Sequence, residues 1–338
     1  MSSASQRELR RIVEHFSRLT ITVLGDMVAD EFVFGEISRV SREAPVLILK
    51  HRQRDVVPGG GANAVYNLAD LGVRVLPVGW VGADDAGRML LARFREKRIP
   101  IKGILRLKGR GTVTKTRILA GMTHTGRQQV VRVDREPAGE IDARARRQLA
   151  VTARQYLRRS NALLISDYGY GGATPEVLAQ IRTTAALDGI PVTLDSRYRM
   201  LEYSGVTAAT PNEPEVEEAL GIRIGQDTKQ LAAAGRRLLQ RMALQSLVIT
   251  RGRDGMAVFA RGQKHVELPI SGSDQVADVT GAGDTVIATF TAALAAGADA
   301  EAAARLANYA GGIVVMKRGT ATVTRDELIA AIERDSVA

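Results

Sequence analysis

The chain has 338 residues, of which 45% are hydrophobic and 25% charged, as is typical of a globular protein of one large domain or two modest ones, and this composition excludes disorder over most of the length. It has no cysteine and four widely separated histidines, which excludes disulfide scaffolds, cysteine nucleophiles and HExxH-type metal sites. Lys and Arg total 47 against 37 Asp and Glu, but the basic residues are dispersed and aromatic residues are few, so we expect a basic surface and no nucleic-acid partner.

The first 20 residues, MSSASQRELRRIVEHFSRLT, predict an amphipathic helix in front of the main domain. This segment lacks the apolar stretch of a secretory signal. The longest apolar run, Val286–Ala296, is too short and too polar to span a bilayer. We therefore expect a cytoplasmic protein with no membrane partner, whose helix at 1–20 precedes a main domain at 21–330.

From Ile21 onward, short apolar runs alternate with stretches of helical periodicity. Strands are predicted at Ile21–Leu24, Val75–Trp80, Ala162–Ser166, Pro191–Leu194, Val206–Ala209 and Leu247–Thr250. Helices are predicted at Ala62–Leu71, Ala86–Glu96, Ile141–Arg159, Pro175–Asp188, Glu213–Leu220 and Gln230–Arg241, with a helix or helix pair around Gly297. This order indicates an α/β protein, a three-layer α/β/α sandwich around a mostly parallel sheet.

Two segments, 32–57 and 101–133, lack helical periodicity and interrupt this alternation. Their β-like runs are Pro45–Lys50, Thr112–Leu119 and Gln129–Asp134. We expect a small β-sheet that projects from the strand ends of the main domain and acts as a lid. The apolar side of this sheet, with Val46 and Ile48, predicts a homodimer formed through the lid.

The sharpest local motif is Asp278-Val-Thr-Gly-Ala-Gly-Asp284, directly before a helix with Val286, Ile287 and Phe290 on its apolar face. Small residues allow a ligand close to the backbone, and free N–H groups at a helix start bind anions. An acid in the first turn is equally common as a simple complement to the helix dipole. The functional alternative is that Asp284 takes a proton from a hydroxyl while the loop amides hold phosphoryl charge.

Two common nucleotide motifs are absent. There is no GxxxxGK[ST] sequence, which excludes a Walker-type NTPase, and the first strand is followed by Gly25-Asp-Met-Val-Ala-Asp30 instead of GxGxxG, which disfavours a NAD-dependent enzyme. The second glycine-rich stretch is Pro58-Gly-Gly-Gly-Ala-Asn63, which leads into a helix. Taken alone, it predicts either a close ligand approach or a flexible loop.

The two glycine motifs, Gly59–Asn63 early and Asp278–Asp284 late, closely resemble the two signatures of ribokinase-like (PfkB) sugar kinases, in the same order and at the same separation. The resemblance extends from about Ile21 to Glu327. Within that family the heptose 7-phosphate kinase branch is most similar, through the segments Ser38–Val46, Thr114–Arg117, Gln128–Asp134, Ser166–Tyr168, Thr210–Asn212 and Lys317–Thr320.

This resemblance implies an ATP-dependent and magnesium-dependent kinase that phosphorylates a sugar or sugar phosphate, here O1 of D-glycero-β-D-manno-heptose 7-phosphate. It implies Asp284 as the catalytic base, with anion-binding amides from Gly281, Ala282 and Gly283. Sugar contacts are implied for Asp30, Gly60 and Asn63. The nucleotide and magnesium side is implied at Asn212, Glu215, Thr250, Gly252, Gly255 and Asn308. Asp278 and Thr280 match positions that hold a monovalent cation, usually potassium, in relatives.

Some further substrate contacts come from the residues themselves. Lys115 and Arg117 are two apart on a predicted strand, so both point to one face, where they could hold a second phosphate of the sugar. An exposed strand face with ordinary basic residues is an equally good interpretation. Asp167 stands beside Tyr168 and Tyr170, which either line the sugar pocket or pack at a strand end.

Two stretches depart from the heptose kinase pattern. Tyr170 stands where relatives typically carry lysine, and Asp195-Ser-Arg-Tyr-Arg199 replaces Asp-Pro-Lys-Gly. The latter resembles the Asp-x-Asn-x-Arg pattern of fructokinases and 2-keto-3-deoxygluconate kinases, so a kinase for an unphosphorylated sugar is the main alternative. Arg197 or Arg199 could replace the lost lysine as a phosphate ligand. A non-catalytic sugar-binding or nucleotide-binding regulator is a more remote alternative, which an intact Asp284 disfavours.

Overall fold

The computed structural model describes residues 3–121, 128–137, 139–182, 189–272 and 277–335. The strands within these residues are β1 (Thr20–Gly25), β2 (Met27–Val40), β3 (Leu47–Gly60), β4 (Arg74–Gly82), β5 (Ile104–Leu107), β6 (Thr114–Gly121), β7 (Gln128–Arg135), β8 (Ala162–Asp167), β9 (Val192–Ser196), β10 (Ala208–Ala209), β11 (Ser246–Thr250), β12 (Met256–Ala260) and β13 (Val266–Leu268). The helices are α1 (Ser3–His15), α2 (Gly61–Asp70), α3 (Asp85–Glu96), α4 (Ala143–Leu157), α5 (Pro175–Arg182), α6 (Glu213–Leu220), α7 (Thr228–Arg241), α8 (Ala282–Ala295), α9 (Ala300–Val314) and α10 (Arg325–Arg334).

The large sheet has the strand order β13-β12-β11-β10-β9-β8-β1-β4-β5. Neighbours from β11 to β5 run parallel, and β12 and β13 extend the sheet in antiparallel fashion. Strand β1 lies in the interior of the sheet, with Ile21 opposite both Val75 of β4 and Ala162 of β8. Parallel strands end at the same edge, so the loops after β8, β9, β10 and β11 converge there.

Helices cover both faces of the large sheet because the strands are apolar on both sides. Along β8, Ala162 and Leu164 pack into a core cluster shared with α2, α8 and α9, whereas Leu163 and Ile165 pack into a second cluster with α4 and α5. Alternate strand residues point to opposite faces, which explains the division. The expected three-layer α/β/α architecture with a mostly parallel sheet is confirmed.

The small sheet has the order β3-β2-β6-β7 in the described part of the chain. Its long hairpin β2-β3 runs from Met27 opposite Gly60, at the base, to Val40 opposite Leu47, at the outer end. Strand β6 pairs parallel with β2 and antiparallel with β7. The base is buried among the large domain, while every residue of β7 is exposed.

The structure differs from the sequence expectations in a few places. Residues 101–133 do not all belong to the small sheet, because Ile104–Leu107 pairs parallel with β4 at the edge of the large sheet. The small sheet also begins earlier than expected, at Met27. The expected helix from Pro175 ends at Arg182, and its remainder lies outside the described residues. In the described ranges, no helix is long and apolar enough to cross a bilayer.

Candidate active site

The motif around Asp284 forms the start of α8. Gly281 precedes the helix with φ 79°, a left-handed conformation that glycine adopts without strain. A side chain there would also collide with Asn63, since a Cβ would lie 2.5 Å from its amide nitrogen. Among the described residues no side chain caps this helix. The Ala282 N–H donates to the Val279 carbonyl over 3.2 Å, so the anion-binding amides expected at this helix start reduce to those of Gly281 and Gly283, which line the cleft.

Asp284 is a buried carboxylate held by two donors. The residue is 3% exposed. The Asn63 amide donates to Oδ2 over 3.0 Å, and the Tyr168 hydroxyl donates to Oδ1 over 2.8 Å. Burial raises the pKa of Asp284 to about 7, although both hydrogen bonds oppose the rise. A carboxylate with a pKa near neutrality is suited to accept a proton at physiological pH.

Asp284 faces a cleft at the carboxyl ends of β8 to β11, with a volume of about 410 Å³. Ligands of open α/β sheets bind at this edge. The cleft brings together eight residues expected from the sequence to form a site, namely Asp167, Arg197, Asn212, Glu215, Thr250, Gly281, Gly283 and Asp284. It is also lined by Tyr168, Asp195, Tyr198, Thr210, Pro214 and Glu218.

Two carboxylates on the cleft wall, Asp195 and Glu215, have raised pKa values even though Arg197 is nearby. Burial, together with Glu215, Asp284 and Asp167, raises the pKa of Asp195 well above its usual range. Burial also raises the pKa of Glu215, against hydrogen bonds from Asn212 and the charge of Arg197. A cation in the cleft would relieve this repulsion.

This donor set fits magnesium that takes most of its ligands from phosphate oxygens and water. Within the described residues, no cluster of three or more acidic or histidine side chains could hold a metal unaided. Asn212 and Glu215 meanwhile form a reciprocal capping box at the start of α6, each accepting the other's backbone N–H over 2.9 Å. Their side chains are thus fixed at the rim of the cleft.

The base of the small sheet contributes a group of charged side chains near Asp284, namely Asp30, Lys115 and Arg117. Arg117 pairs with Asp30 at 2.9 Å, and both side chains are largely buried. The Lys115 ammonium lies 5.1 Å from the ring centroid of Tyr168. Burial lowers the pKa of Lys115, and the nearby Arg197 and Arg132 lower it further, against Asp30. Lys115 and Arg117 therefore share one face of β6, as their spacing predicts.

The glycine-rich segment before α2 brings the backbone close to Asp30. A Cβ on Gly59 would lie 2.7 Å from Asp30 Cγ, and one on Gly60, whose φ is +53°, would meet Val28 at 3.0 Å. Thr320 donates to Asp30 Oδ2 over 2.9 Å from the loop after α9. The segment thus packs against a polar pocket instead of forming an open loop.

Of the two predicted arginines in Asp195–Arg199, Arg197 lines the cleft. Arg199 instead donates to Asp167 Oδ1 over 2.7 Å. The same oxygen accepts from the Gly169 N–H, and Oδ2 accepts from Ser196. Asp167 and Arg199 are therefore paired with each other, and this geometry does not support either as a substrate ligand.

The remaining predicted residues lie outside the cleft. Asp278 accepts from the backbone N–H groups of Thr280, at 2.9 Å, and Gly319, at 3.1 Å. Burial works against ionisation of Asp278, but these hydrogen bonds and the charge of Arg117 outweigh it and lower its pKa. A carboxylate ionised in this way suits a cation, although here its oxygens join two loops.

Of the residues expected on the nucleotide side, Gly252 and Gly255 form the turn between β11 and β12, both at positive φ. A Cβ on Gly255 would lie 2.0 Å from the carbonyl of Leu268, so only glycine fits there. Asn308 on α9 donates to the carbonyl of Pro269 over 2.7 Å. The turn and α9 flank the same end of the large sheet.

Three residues of this site were not expected from the sequence. Asp195 is a cleft carboxylate, Thr320 binds Asp30, and Asp26 binds the turn that carries Tyr168. The signal for Asp26 and Asp195 was their position directly after, or at the end of, a buried strand. Thr320 gave no local signal, because its role depends on a loop that meets the small sheet in space.

Comparison with known proteins identifies the family of the chain. Residues 21–327 match the profile of the pfkB family carbohydrate kinases. The chain belongs to the pfkB family. Both its family resemblance and its ribokinase-like fold are confirmed, and the chain is a carbohydrate kinase that uses ATP.

The curated relatives cover almost all of the chain. It is 38% identical over 328 residues to the bifunctional protein HldE of Geobacter sulfurreducens, covering 97% of this chain and 66% of that protein. It is 41% identical over 323 residues to the bifunctional protein HldE of Caulobacter sp., covering 95% and 64%. The chain thus spans about two thirds of the length of these relatives.

Solved structures with low sequence identity share the fold. Ribokinase of Arabidopsis thaliana, in complex with ribose and ATP, superposes with a TM-score of 0.71 at 18% identity over 93% of this chain and 99% of that one. Phosphofructokinase-2 of Escherichia coli, in complex with potassium, gives 0.74 at 18% identity over 94% and 99%. At this identity the similarity establishes the architecture alone.

Proposed function

We propose that this pfkB kinase transfers the γ-phosphoryl group of ATP to O1 of D-glycero-β-D-manno-heptose 7-phosphate, with Asp284 as the base. The observation that carries the chemistry is the buried Asp284 carboxylate, held by Asn63 and Tyr168 between an anion-binding helix start and the cations of the small sheet. The HldE relatives and the segments Ser38–Val46 and Thr114–Arg117 favour the heptose substrate.

In the proposed reaction, the sugar hydroxyl attacks the γ-phosphorus in line with the departing β,γ-bridging oxygen. The proton of the hydroxyl goes to Asp284, the new O–P bond forms, and ADP leaves with the bond electrons. The N–H groups of Gly281 and Gly283 hold the charge on the transferring group. Magnesium on the ATP phosphates, near Asp195 and Glu215, would supply charge neutralisation.

The small sheet has two roles in this proposal. Lys115 holds the 7-phosphate from the face it shares with Arg117, while Arg117 keeps Asp30 oriented toward the sugar hydroxyls. As a lid, the sheet excludes water from the transferring phosphoryl group, so that the sugar remains the acceptor. A monovalent cation at Asp278 would steady the loop that leads to Gly281.

The alternative acceptor is an unphosphorylated sugar of the fructose or 2-keto-3-deoxygluconate type. Two features favour it: Arg199 follows the pattern of those kinases, and Tyr170, which replaces a lysine, donates its hydroxyl to Glu136 at 2.7 Å and offers no positive charge. The ammonium group of Lys115, near Tyr168 and Asp30, favours the phosphorylated sugar.

The test is ADP release with ATP, magnesium and potassium across a panel of acceptors. The panel contains heptose 7-phosphate, fructose, fructose phosphates, ribose and 2-keto-3-deoxygluconate, each run beside Asp284→Asn. We expect turnover with heptose 7-phosphate that disappears in the variant. Turnover with an unphosphorylated sugar alone would select the alternative, and ATP binding without turnover on any acceptor would contradict both.

The rate should depend on the ionisation of Asp284. Because only the carboxylate accepts a proton, and its pKa is raised to about 7, we expect kcat to rise with pH between about 6 and 8 and then level off. The measurement is a pH profile of kcat at saturating ATP and sugar. A rising limb centred near pH 4, the ordinary value for a carboxyl group, would contradict this assignment.

We also propose a homodimer formed through the small sheet. Val40, Val46 and Val133 are 58%, 56% and 53% exposed, and β7 is an edge strand of the small sheet in the described part of the chain. We expect a dimer by light scattering at micromolar concentration, and a monomer after Val46→Asp combined with Val133→Asp. Val151→Asp, at a valine 42% exposed on α4, should leave the dimer intact. A monomeric wild type would refute the proposal.

A further inference from the structure

Asp26 is a buried carboxylate that the proposed reaction does not use. It lies between β1 and β2 and is 1% exposed. Its Oδ2 accepts the backbone N–H groups of Tyr168 and Tyr170, both at 2.9 Å, and its Oδ1 accepts that of Gly172 at 2.7 Å. A single side chain thus fixes alternate residues of the turn after β8.

The main chain of Asp26 makes two further connections. Its N–H donates to the carbonyl of Ser166 over 3.1 Å, at the end of β8. Its carbonyl accepts the N–H of Gly61 over 3.0 Å, at the start of α2. Asp26 therefore joins the Tyr168 turn to the first turn of α2, where Asn63 lies.

These two segments carry the two donors to Asp284. Tyr168 supplies the hydroxyl at 2.8 Å from Oδ1, and Asn63 supplies the amide at 3.0 Å from Oδ2. We propose that Asp26 is a positioning residue, which sets both donors against the Asp284 carboxylate without touching substrate. The inference rests on the proposed role of Asp284 as the base.

The three acceptor contacts explain why a carboxylate is needed at this position. An amide has one oxygen, so asparagine would turn its own NH₂ group toward either the Tyr168 and Tyr170 donors or the Gly172 donor. At least one buried N–H would then lose its partner, which is costly. Burial, together with Asp167, raises the pKa of Asp26 to about 6. Keeping a carboxylate here therefore costs free energy, which the three hydrogen bonds from the turn offset.

The test is the pH profile of kcat for Asp26→Asn. The Tyr168 hydrogen bond lowers the pKa of Asp284, so loosening it should move the rising limb up by about one pH unit. We also expect kcat at pH 8 to fall about tenfold. Tyr168→Phe should give the same direction of shift. The two substitutions combined should reduce kcat by less than about threefold beyond Asp26→Asn, because the Tyr168 contact is already one of the two through which Asp26 acts.

Asp227→Ala is the matched control for lost stability. Asp227 also accepts two backbone N–H groups, those of Lys229 and Gln230, but at the start of α7. It should lower the melting temperature and leave the pH profile unchanged. None of these variants changes the charged groups that face Asp284 from other elements, which are Asp30, Lys115 and Asp195.

The outcomes separate this inference from the proposed function. An active Asp284→Asn would refute the base itself. If Asp284→Asn is inactive but the pH profile of Asp26→Asn matches that of the wild type, only the positioning role is refuted. Fully multiplicative effects of the Asp26 and Tyr168 substitutions on kcat would also refute only the positioning role. If Asp26→Asn does not fold, Gly172→Ala replaces it, because its Cβ would lie 2.8 Å from Asp26 Oδ1 and should shift the limb in the same direction.

Discussion

Asp284→Asn should lower kcat by about a thousandfold at pH 8, because the amide cannot accept the proton of the attacking hydroxyl, and positioned acid–base catalysis contributes roughly 10²–10⁴-fold. The KM values for ATP and sugar should change by less than about threefold, since the helix start and the small sheet are untouched. The measurement is steady-state ADP release with the preferred acceptor. A variant that keeps more than about a tenth of the activity would show that Asp284 is not the base.

The same substitution should stabilise the fold at high pH. Asp284 has a folded-state pKa of about 7 against an ordinary 3.8. The folded state therefore binds more protons than the unfolded one between these values, and the free energy of unfolding falls as pH rises from about 4 to 7. At roughly 1.4 kcal/mol per unit of pKa, the wild type loses on the order of 4 kcal/mol over this range.

Asparagine carries no charge, so Asp284→Asn removes this loss but also gives up one of the two hydrogen bonds. We expect a net gain of about 2 kcal/mol at pH 8, seen as a melting temperature several degrees higher. The gain should disappear near pH 4, where the wild-type carboxyl is protonated. Thermal melts at both pH values measure this, and an equal difference at pH 4 and pH 8 would contradict the linkage to Asp284.

Lys115→Gln should raise the KM for heptose 7-phosphate by about 10-fold to 100-fold, with kcat changed much less. A charge-assisted hydrogen bond is worth roughly 1.5–3 kcal/mol, and every 1.4 kcal/mol is about tenfold in affinity. An acceptor without a phosphate should lose less than about threefold, because it makes no contact with this ammonium. The measurement is a pair of substrate titrations, one with each acceptor.

Lys50→Gln is the matched control for this variant. Lys50 is an exposed residue of β3 in the same small sheet, so its loss removes the same charge without reaching the pocket. It should leave both KM values unchanged. If Lys115→Gln raised the KM equally for phosphorylated and unphosphorylated acceptors, Lys115 would only pack against Tyr168 and would not bind the phosphate. That result would favour the alternative acceptor.

Much of the fold followed from local periodicity. The strands around Ile21 and Ala162 and the helices around Val65 and Leu149 were predicted because each is a continuous apolar run or an amphipathic repeat. Periodicity does not tell which sheet a strand joins, which is why Ile104–Leu107 was assigned to the small sheet. Short strands such as Val266–Leu268 carry too few residues to give a pattern.

The candidate site was predictable where a motif encodes its own geometry. The Asp278–Asp284 segment did so, since the conformation of Gly281 and the position of Asp284 are local properties of a helix start. The pairing of Arg199 with Asp167 was not predictable, because it depends on the distance between the ends of two adjacent strands. The position of Asp26 after a buried strand was a signal for a site residue, but its role was not predictable, because its partners, Tyr168 to Gly172, are neighbours only in the folded chain.

The interior position of β1 also governs the order in which the chain can fold. During synthesis β4 emerges soon after β1, but the other neighbour of Ile21 is Ala162 of β8, and Asp284 follows much later still. Until β8 leaves the ribosome, β1 exposes an unpaired apolar edge, and pairings that distant in sequence form slowly. A nascent chain halted before residue 162 therefore has an incomplete sheet with an exposed apolar edge, and it has no catalytic centre. Such an edge promotes aggregation, so chaperone protection is most valuable during that interval of translation.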